Sequence, residues 1–305
     1  MKRYILKRLV QAFVSLFAVT LIVFMLTQLS GDPALLMAPP DATPRDIQEM
    51  REIMGLTKPL HVQYGIFLAD ILSGEFGRSF KWDKPCIAIW LDRFPNTLLL
   101  AGASMVITII IGLSFGILSA VHVGRWFDQF GKIFALMGQA LPVFWLGLML
   151  MYLFSVKLRW LPTSGMGSWE HLIMPAITLG WFFTASIARL TRSSMLDELD
   201  RDYIKMAKIK GVSRSGIILR HALKNATIPI LTLGSLNFVF MLNGTVITET
   251  VFNWPGVGRL VVEAIFTRDF PLVQTTVLIG ASFFIFVNLM VDVLYAYIDP
   301  RIRYQ

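Results

Sequence analysis

The sequence predicts an all-α, polytopic membrane protein with six transmembrane helices and with both termini in the cytoplasm. Three observations support this fold class: the composition, six long apolar stretches, and the distribution of the basic residues. Of the 305 residues, 55% are hydrophobic and only 16% are charged, and the mean hydropathy is +0.63. Soluble domains carry about 25% charged residues. This composition therefore indicates a chain whose helices are solvated by lipid.

Six stretches of about 18 or more mainly apolar residues are each long enough to cross a hydrocarbon core of roughly 30 Å. Because lipid offers no hydrogen bonds, near-continuous hydrophobicity favours helices over the alternating strands of a barrel. The predicted spans are Leu9–Leu29, Leu98–Val121, Ile133–Val156, Leu172–Leu190, Ile228–Thr248 and Val273–Ile298. The glycines that we expect at close helix–helix contacts are Gly112, Gly116, Gly147, Gly180, Gly234 and Gly244.

The basic residues fix the orientation of these spans. With the N-terminus inside, the cytoplasmic side holds 17 of the 28 Lys and Arg, in residues 1–8, 122–132, 189–224 and 299–305. The segments on the outer side hold the other 11, together with 13 acids. This asymmetry satisfies the positive-inside rule and accounts for the net charge of +8 without nucleic acid. The basic N-terminus also suits a signal peptide, but the apolar run after it exceeds a typical h-region, so we expect an uncleaved first helix.

The chain therefore divides into four parts: a first helix (1–29), an outer segment (30–97), a five-helix core (98–298) with a cytoplasmic loop at 191–227, and a cytoplasmic tail (299–305).

The outer segment carries the signals of two short helices. The sequence TPRD at 43–46 supplies an N-cap, a proline at the first helical position and an acid at the third, and Gly55 provides the stop. A second helix begins near Pro59 and stops at Gly74. We expect these helices to lie on the outer membrane surface or to cap the bundle, with contact to a partner as the alternative.

No energy source or reaction chemistry is visible in the sequence. The pair Gly131-Lys132 lacks the preceding glycine and the following Ser or Thr of a P-loop. No Ser or Cys nucleophile has an evident His and acid set, which leaves hydrolysis unsupported. The four histidines fall in four separate segments, and Cys86 is the only cysteine, so no metal site is expected.

A few polar residues lie inside the predicted spans. Asp292 is either a functional proton site or an acid held by a neighbouring helix end or a basic residue near the interface. In the fifth span, Thr232, Asn237, Asn243 and Thr245 are candidates for lining a polar pathway, with interhelical hydrogen bonding as the alternative. A stand-alone ion-coupled carrier would be expected to place several ionisable groups at membrane depth, which disfavours that class.

The long cytoplasmic loop has helical structure of its own. Residues 200–210 show one broad apolar face with lysines on the other, Gly211 ends this helix, and Ser213 begins a second one. Because the basic stretch 203–229 contains Tyr203 as its only aromatic residue, it lacks the interleaved aromatics of a nucleic-acid-binding surface. The pattern predicts a short rigid element that protrudes from the membrane.

This loop resembles the cytoplasmic coupling-helix motif of binding-protein-dependent ABC importer permeases, although 204–207 does not spell its Glu-Ala-Ala form. The matching residues are Ala207, Gly211, Ile228 and Pro229. The stretches SGDPA, RHALKNATIP, ETVFNWPGVGRLVVEAIFTRDFPLVQ and VDVLYAYIDPRIRY extend the resemblance over the whole chain. In combination they resemble the permease subunit of dipeptide, oligopeptide, glutathione and nickel importers, which implies the type I ABC importer permease fold.

The resemblance implies a non-catalytic subunit of a bacterial or archaeal cytoplasmic membrane that forms half of a solute pathway by alternating access. It also implies a second related permease chain, two cytoplasmic ATP-binding subunits that hold the ATP and Mg, and an extracytoplasmic solute-binding protein. No cofactor is expected on this chain. The residues expected to couple to the ATPase are Tyr203, Ala207, Lys208, Gly211 and Arg220.

The outer loop at 249–260 is the remaining candidate site. Its Trp-Pro-Gly turn either packs the mouth of the bundle or contacts the solute-binding protein. The residues involved are Phe252, Trp254, Pro255, Gly256 and Arg259. No residue in the sequence distinguishes a dipeptide from a longer peptide, glutathione or a nickel chelate.

Overall fold

The structure, a computed structural model, describes residues 2–29, 34–35, 41–53 and 55–298, and leaves undescribed the side chains at 2–4, 29, 243–244 and 294–298. In this part of the chain the fold is all-α, and the only β pairing is an isolated bridge between Arg78 and Pro85. The helices are α1 Lys2–Leu29, α2 Pro44–Ile53, α3 Leu60–Ser73, α4 Cys86–Val121, α5 Trp126–Ala140, α6 Val143–Leu150, α7 Glu170–Leu199, α8 Asp202–Ile209, α9 Arg214–Gly216, α10 Leu223–Val251, α11 Val257–Phe266 and α12 Phe270–Ile298. Two π-helical segments continue α6 and α9, at Met151–Lys157 and Ile217–Ala222.

The helices form two compact units. One, the terminal unit, comprises Met1–Pro95 and Leu260–Gln305, and the other, the middle unit, comprises Asn96–Arg259. Among the described residues, five unbroken helical stretches are long and apolar enough to cross a membrane, and a bent pair brings the number to six if it is counted as one span. The continuous stretches are Ile5–Gln28, Cys86–Val121, Glu170–Leu199, Arg214–Leu242 and Phe270–Val293.

The third predicted span is not the single helix that its hydropathy indicates. Helices α5 and α6 meet at a bend of 108° across Leu141 and Pro142. Proline has no N–H to donate and disfavours helical torsion angles in the residue before it. Leu141 accordingly adopts an extended conformation with ψ of 126°. The apolar run from 133 to 156 is therefore one hydrophobic segment but two helices.

The middle unit is held together by close packing of α4 against α7. A Cβ atom added at Gly116 would lie 2.5 Å from Cβ of Thr191, and one at Gly112 would lie 2.8 Å from a methyl group of Ile187. Gly180 approaches α4 from the other side, with Thr108 Oγ1 2.9 Å from the site of its missing Cβ. These contacts confirm the prediction that glycines let the spans pack backbone to backbone.

The other glycines of that prediction differ. Gly147 packs against Phe252, and a Cβ added at Gly234 would lie 3.2 Å from the flexible end of Met105. The surroundings of Gly244 lie outside the described residues.

The terminal unit contains both predicted outer helices. In α2, the backbone N–H of Thr43 donates to Asp46 and that of Asp46 donates to the Thr43 hydroxyl, so the predicted capping arrangement is confirmed. Helix α3 ends at Gly74, whose φ is +83°. It packs against α1, where Tyr64 Oη lies 2.9 Å from Thr20 Oγ1. The second outer helix therefore rests on the first span.

Candidate functional site

The cytoplasmic segment has the predicted sequence of helix, glycine and helix. Helix α8 ends before Gly211, whose φ of +77° is in the left-handed region that glycine adopts without strain. The N–H of Gly211 donates to the Lys208 carbonyl, and Ser213 caps α9 by accepting from the N–H of Gly216. Beyond that cap the helix continues without a break through Pro229 to Val251. The second helix of the loop and the fifth span are therefore one rod.

The apolar face of α8 points into the middle unit. Ile204 is fully buried and Ala207 nearly so, and both pack in a cluster with Met195, Ile217 and Ala222. This differs from the expectation that Ala207 and its face contact another subunit. Because α8 is short, its broad apolar face is used to attach it to the ends of α7 and α10.

Three accessible residues in the C-terminal half of α8 form its tip. Ile209 is 80% exposed and Met206 is 55% exposed, and Lys208 is exposed between them in the sequence. Arg220, on the following π-helical turn, is also exposed. The tip is thus a small apolar patch that includes one basic residue.

Tyr203 links three helices at the base of α8. Its hydroxyl donates to a Glu198 carboxylate oxygen at 2.6 Å and accepts from the Asn225 side-chain amide at 2.8 Å. Partial burial, together with the hydrogen bond to the Glu198 carboxylate, raises the pKa of the Tyr203 phenol. Neither partner was identified from the sequence, because a lone Glu and a lone Asn 27 positions apart carry no pattern.

The Trp-Pro-Gly turn is buried within the middle unit. Phe252 and Trp254 are each 1% exposed. The Trp254 indole N–H donates to the Asn96 carbonyl at 2.9 Å, and the Asn96 side-chain amide donates to the Pro255 carbonyl at 2.8 Å. Of the two alternatives for this loop, the packing role accounts for both aromatic residues, since neither offers surface to another protein.

A buried carboxylate, Glu249, organises the same turn. One of its oxygens accepts from the Thr97 hydroxyl at 2.7 Å, and the other accepts from the backbone N–H of Arg259 at 2.9 Å. Gly256 and Gly258 leave the space that this carboxylate fills, and a Cβ at Gly258 would lie 3.0 Å from its Oε2. Gly256 is therefore needed because a side chain at this position would clash with the Glu249 carboxylate. The sequence signal that was missed is an acid at the end of an apolar span directly before a tight turn.

Arg259 closes the turn from outside. Its guanidinium donates to the Asn253 carbonyl at 2.9 Å. Asn253 is exposed and has a positive φ of 53°. Within the loop, Thr250 and Asn253 are exposed, and Arg259 and Pro255 are half-buried.

The pathway candidates of the fifth span have different surroundings. Asn237 is 5% exposed, and its side-chain NH₂ has no hydrogen-bond partner among the described residues. Thr245 is buried beside Glu249 and donates to it, whereas Thr232 is partly buried and donates to the Ile228 carbonyl. The side chain of Asn243 lies outside the described residues.

Asp292, in the terminal unit, forms an ion pair with Arg8. The distance from Asp292 Oδ2 to Arg8 Nη1 is 3.3 Å, and α1 packs along α12. This is the arrangement expected of an acid paired with a basic residue near the interface. The ion pair gives the carboxylate a partner of opposite charge.

Two family models together match nearly the whole chain. Residues 112–304 match the model described as "binding-protein-dependent transport system inner membrane component". Residues 1–101 match the N-terminal membrane-component model of the same transport systems. The chain belongs to this family. It is a permease subunit of an ABC importer and resides in the inner membrane.

Individual relatives agree with the assignment. The permease is 44% identical over 306 residues to the "glutathione transport system permease protein GsiC" of Salmonella typhimurium strain LT2 and 43% identical to that of Escherichia coli K12, with 100% of each chain covered. Among solved structures it resembles the inward-facing MetNI methionine ABC transporter, with a TM-score of 0.57, 16% identity, and 70% of this chain and 98% of that chain covered. It also resembles an amino acid ABC transporter solved with histidines, with a TM-score of 0.55, 14% identity, and 69% and 94% covered. At these identities the structures establish the shared fold.

Proposed function

We propose that this permease forms half of the path by which a peptide or related small solute crosses the inner membrane by alternating access. The solute class comprises dipeptides, oligopeptides, glutathione and nickel chelates. The full-length identity of 44% to permeases named for glutathione transport favours glutathione or a peptide of similar size within that class. The other half of the path would be a second, related permease chain.

The chain is proposed to be non-catalytic, with ATP and Mg bound by two cytoplasmic ATP-binding subunits. The observation that carries this proposal is the tip of α8. Met206 and Ile209 offer an apolar patch on a helix that is otherwise attached by its buried face. Lys208 on the same helix and Arg220 on the following π-helical turn add exposed positive charge. Exposed apolar groups bordered by charge are typical of protein–protein contacts. An extracytoplasmic solute-binding protein would deliver the solute to the opposite side.

The attachment of α8 supports a mechanical role. Ile204 and Ala207 fix it in the core, and Tyr203 ties it to α7 and α10 through Glu198 and Asn225. Movement of the tip would therefore be passed to both long helices. Such coupling requires that the ATPase bind the two states of the permease with different affinities.

Asn237 is the proposed polar contact of the pathway on α10. A buried amide without a partner costs about 1–3 kcal/mol. Since its NH₂ has none among the described residues, we infer that the partner is the solute, a water molecule or the second permease. Thr232, one and a half helical turns earlier, and Asn243 are proposed to belong to the same pathway.

The proposal is tested by comparing Ile209→Asp with Ile53→Asp. Both side chains are at least 80% exposed, but Ile53 lies on outer helix α2. With the permease pair expressed together with its ATPase, Ile209→Asp is expected to reduce ATPase co-purification and ATP-dependent uptake of glutathione, because a charge replaces the centre of the apolar patch. Ile53→Asp is expected to leave both unchanged. Normal co-purification with Ile209→Asp would contradict the assignment of the tip.

A further inference from the structure

A cavity of about 450 Å³ opens between α4, α5 and α7 of the middle unit. Three cations line it: Lys132, Arg189 and Arg192. No carboxylate is among the nine described residues that form its wall. All three cations lie in the segments that the positive-inside rule places at the cytoplasmic face. The cavity is therefore a basic recess at the cytoplasmic end of the bundle.

One acid close behind the wall neutralises part of this charge. Asp128 is fully buried and accepts from Arg192 Nε at 2.7 Å, and its other oxygen lies 3.1 Å from Lys132 Nζ. Ser119 and the backbone N–H of Gly124 complete its hydrogen bonds. Because one carboxylate faces two cations and Arg189 contacts only the neutral amide of Gln139 in the described chain, the recess keeps an excess of positive charge.

Apart from Ser119, whose hydroxyl donates to Asp128, the rest of the cavity wall is apolar. Phe115, Ala135, Leu136 and Ala188 line it, and the Phe115 ring stacks on Phe134 with centroids 4.9 Å apart. Leu136 of α5 is 75% exposed, so the apolar surface extends from the cavity onto the outside of the helix. A ligand that fits must therefore combine an anionic head with an apolar body.

We propose that this cavity binds the phosphate headgroup of an anionic phospholipid of the cytoplasmic leaflet. Its acyl chain would run along Phe115 and the exposed side of Leu136. Basic pockets between transmembrane helices on the cytoplasmic side are suited to such headgroups, since both Lys and Arg donate charge-assisted hydrogen bonds to phosphate. Free phosphate would use the cations but not the apolar wall, and the same holds for an acidic segment of another subunit.

The test is lipid binding by the purified full-length permease, measured by native mass spectrometry in detergent. The probes are dioleoyl phosphatidylglycerol, dioleoyl phosphatidylcholine and inorganic phosphate. The cavity variant is Lys132→Gln with Arg189→Gln, which leaves the Arg192 pair with Asp128 in place. The matched control is Arg125→Gln with Lys224→Gln, because both side chains are exposed on the same membrane face and lie outside the cavity.

The wild type and the control are expected to bind phosphatidylglycerol in preference to phosphatidylcholine. The cavity variant is expected to bind it roughly fivefold more weakly for each cation removed, about 25-fold in total. The control should unfold at the wild-type temperature. The cavity variant loses the Lys132 contact with Asp128 but keeps that of Arg192, so it should unfold slightly below that temperature, and lipid binding is compared where all three proteins are folded. The proposal would be overturned if the two variants bound phosphatidylglycerol with equal affinity. It would also be overturned if the wild type bound phosphatidylcholine as tightly as phosphatidylglycerol, or if inorganic phosphate competed fully with phosphatidylglycerol. If the intact transporter complex retained no lipid, another subunit would fill the recess and the proposal would be wrong.

Discussion

Replacement of Asp128 by Asn tests whether the buried carboxylate holds the cytoplasmic ends of α4, α5 and α7 together. The side chain has no solvent exposure and makes two bonds to Arg192, at 2.7 and 3.2 Å. It also contacts Lys132 at 3.1 Å and Ser119 at 2.7 Å. Every one of these groups donates a hydrogen bond to Asp128. The NH₂ of an asparagine is itself a donor, so it would face other donors and could not accept their hydrogen bonds.

The expected loss of stability follows from this geometry. Removal of one partner from a buried ion pair costs about 3–5 kcal/mol. Arg192 is 26% exposed and Lys132 is 50% exposed, so water partly resolvates both cations once the carboxylate is gone. We therefore expect the lower end of the range, about 3 kcal/mol.

The assay is unfolding of the purified permease in mixed micelles, monitored by loss of helical signal as the denaturing detergent fraction rises. The control is Asp202→Asn, which makes the same chemical change in an ion pair with Lys205 at 3.0 Å. Asp202 is 97% exposed, so its ion pair should contribute little to stability. Equal shifts for the two variants would refute the reasoning that burial makes the Asp128 pair important.

Three further substitutions separate packing from coupling. Gly116→Ala should cost about 1–3 kcal/mol through overpacking against α7, whereas Gly102→Ala, which meets nothing within 4 Å, should be neutral or stabilising in the same unfolding assay. Gly211→Val and Gly74→Val place a side chain at a positive φ with open space around it, so both impose the same backbone strain. Only Gly211→Val is expected to uncouple ATP hydrolysis from uptake in proteoliposomes. Equal coupling in the two variants would contradict the role of the cytoplasmic segment. Trp254→Ala should destabilise the permease by about 3–5 kcal/mol, because a buried indole is removed, and a folded variant that loses only stimulation by the solute-binding protein would indicate a contact role instead.

The break in the third span shows where hydropathy alone misleads. The apolar run from 133 to 156 satisfies every length criterion for one helix, and Pro142 lies inside it. Prolines at 95, 175 and 229 also lie inside helices, and those helices continue. Whether a proline breaks a span depends on which neighbouring groups satisfy the freed carbonyl, and that is a tertiary property. Sequence alone could not rank Pro142 above the others.

The candidate site shows the same division between pattern and contact. The glycine stop at Gly211 and the cap at Ser213 were predictable, because both are local backbone requirements. The inward orientation of Ala207 was not, since a broad apolar face suits a partner subunit as well as the chain's own core. For Trp254, the sequence likewise could not distinguish packing at the mouth of the bundle from contact with the solute-binding protein, because these roles differ only in burial.

The sequence by itself determined the membrane class, the orientation and the family, because hydrophobicity, charge asymmetry and local motifs are written along the chain. It also determined where short helices begin and end. Only the tertiary structure decided which polar groups meet. Asp128 with Arg192, Glu249 with Thr97, and Tyr203 with Asn225 are separated by 64, 152 and 22 positions. Such pairs form because burial makes an unpaired polar group costly, and folding selects the partner that is close in space rather than in sequence.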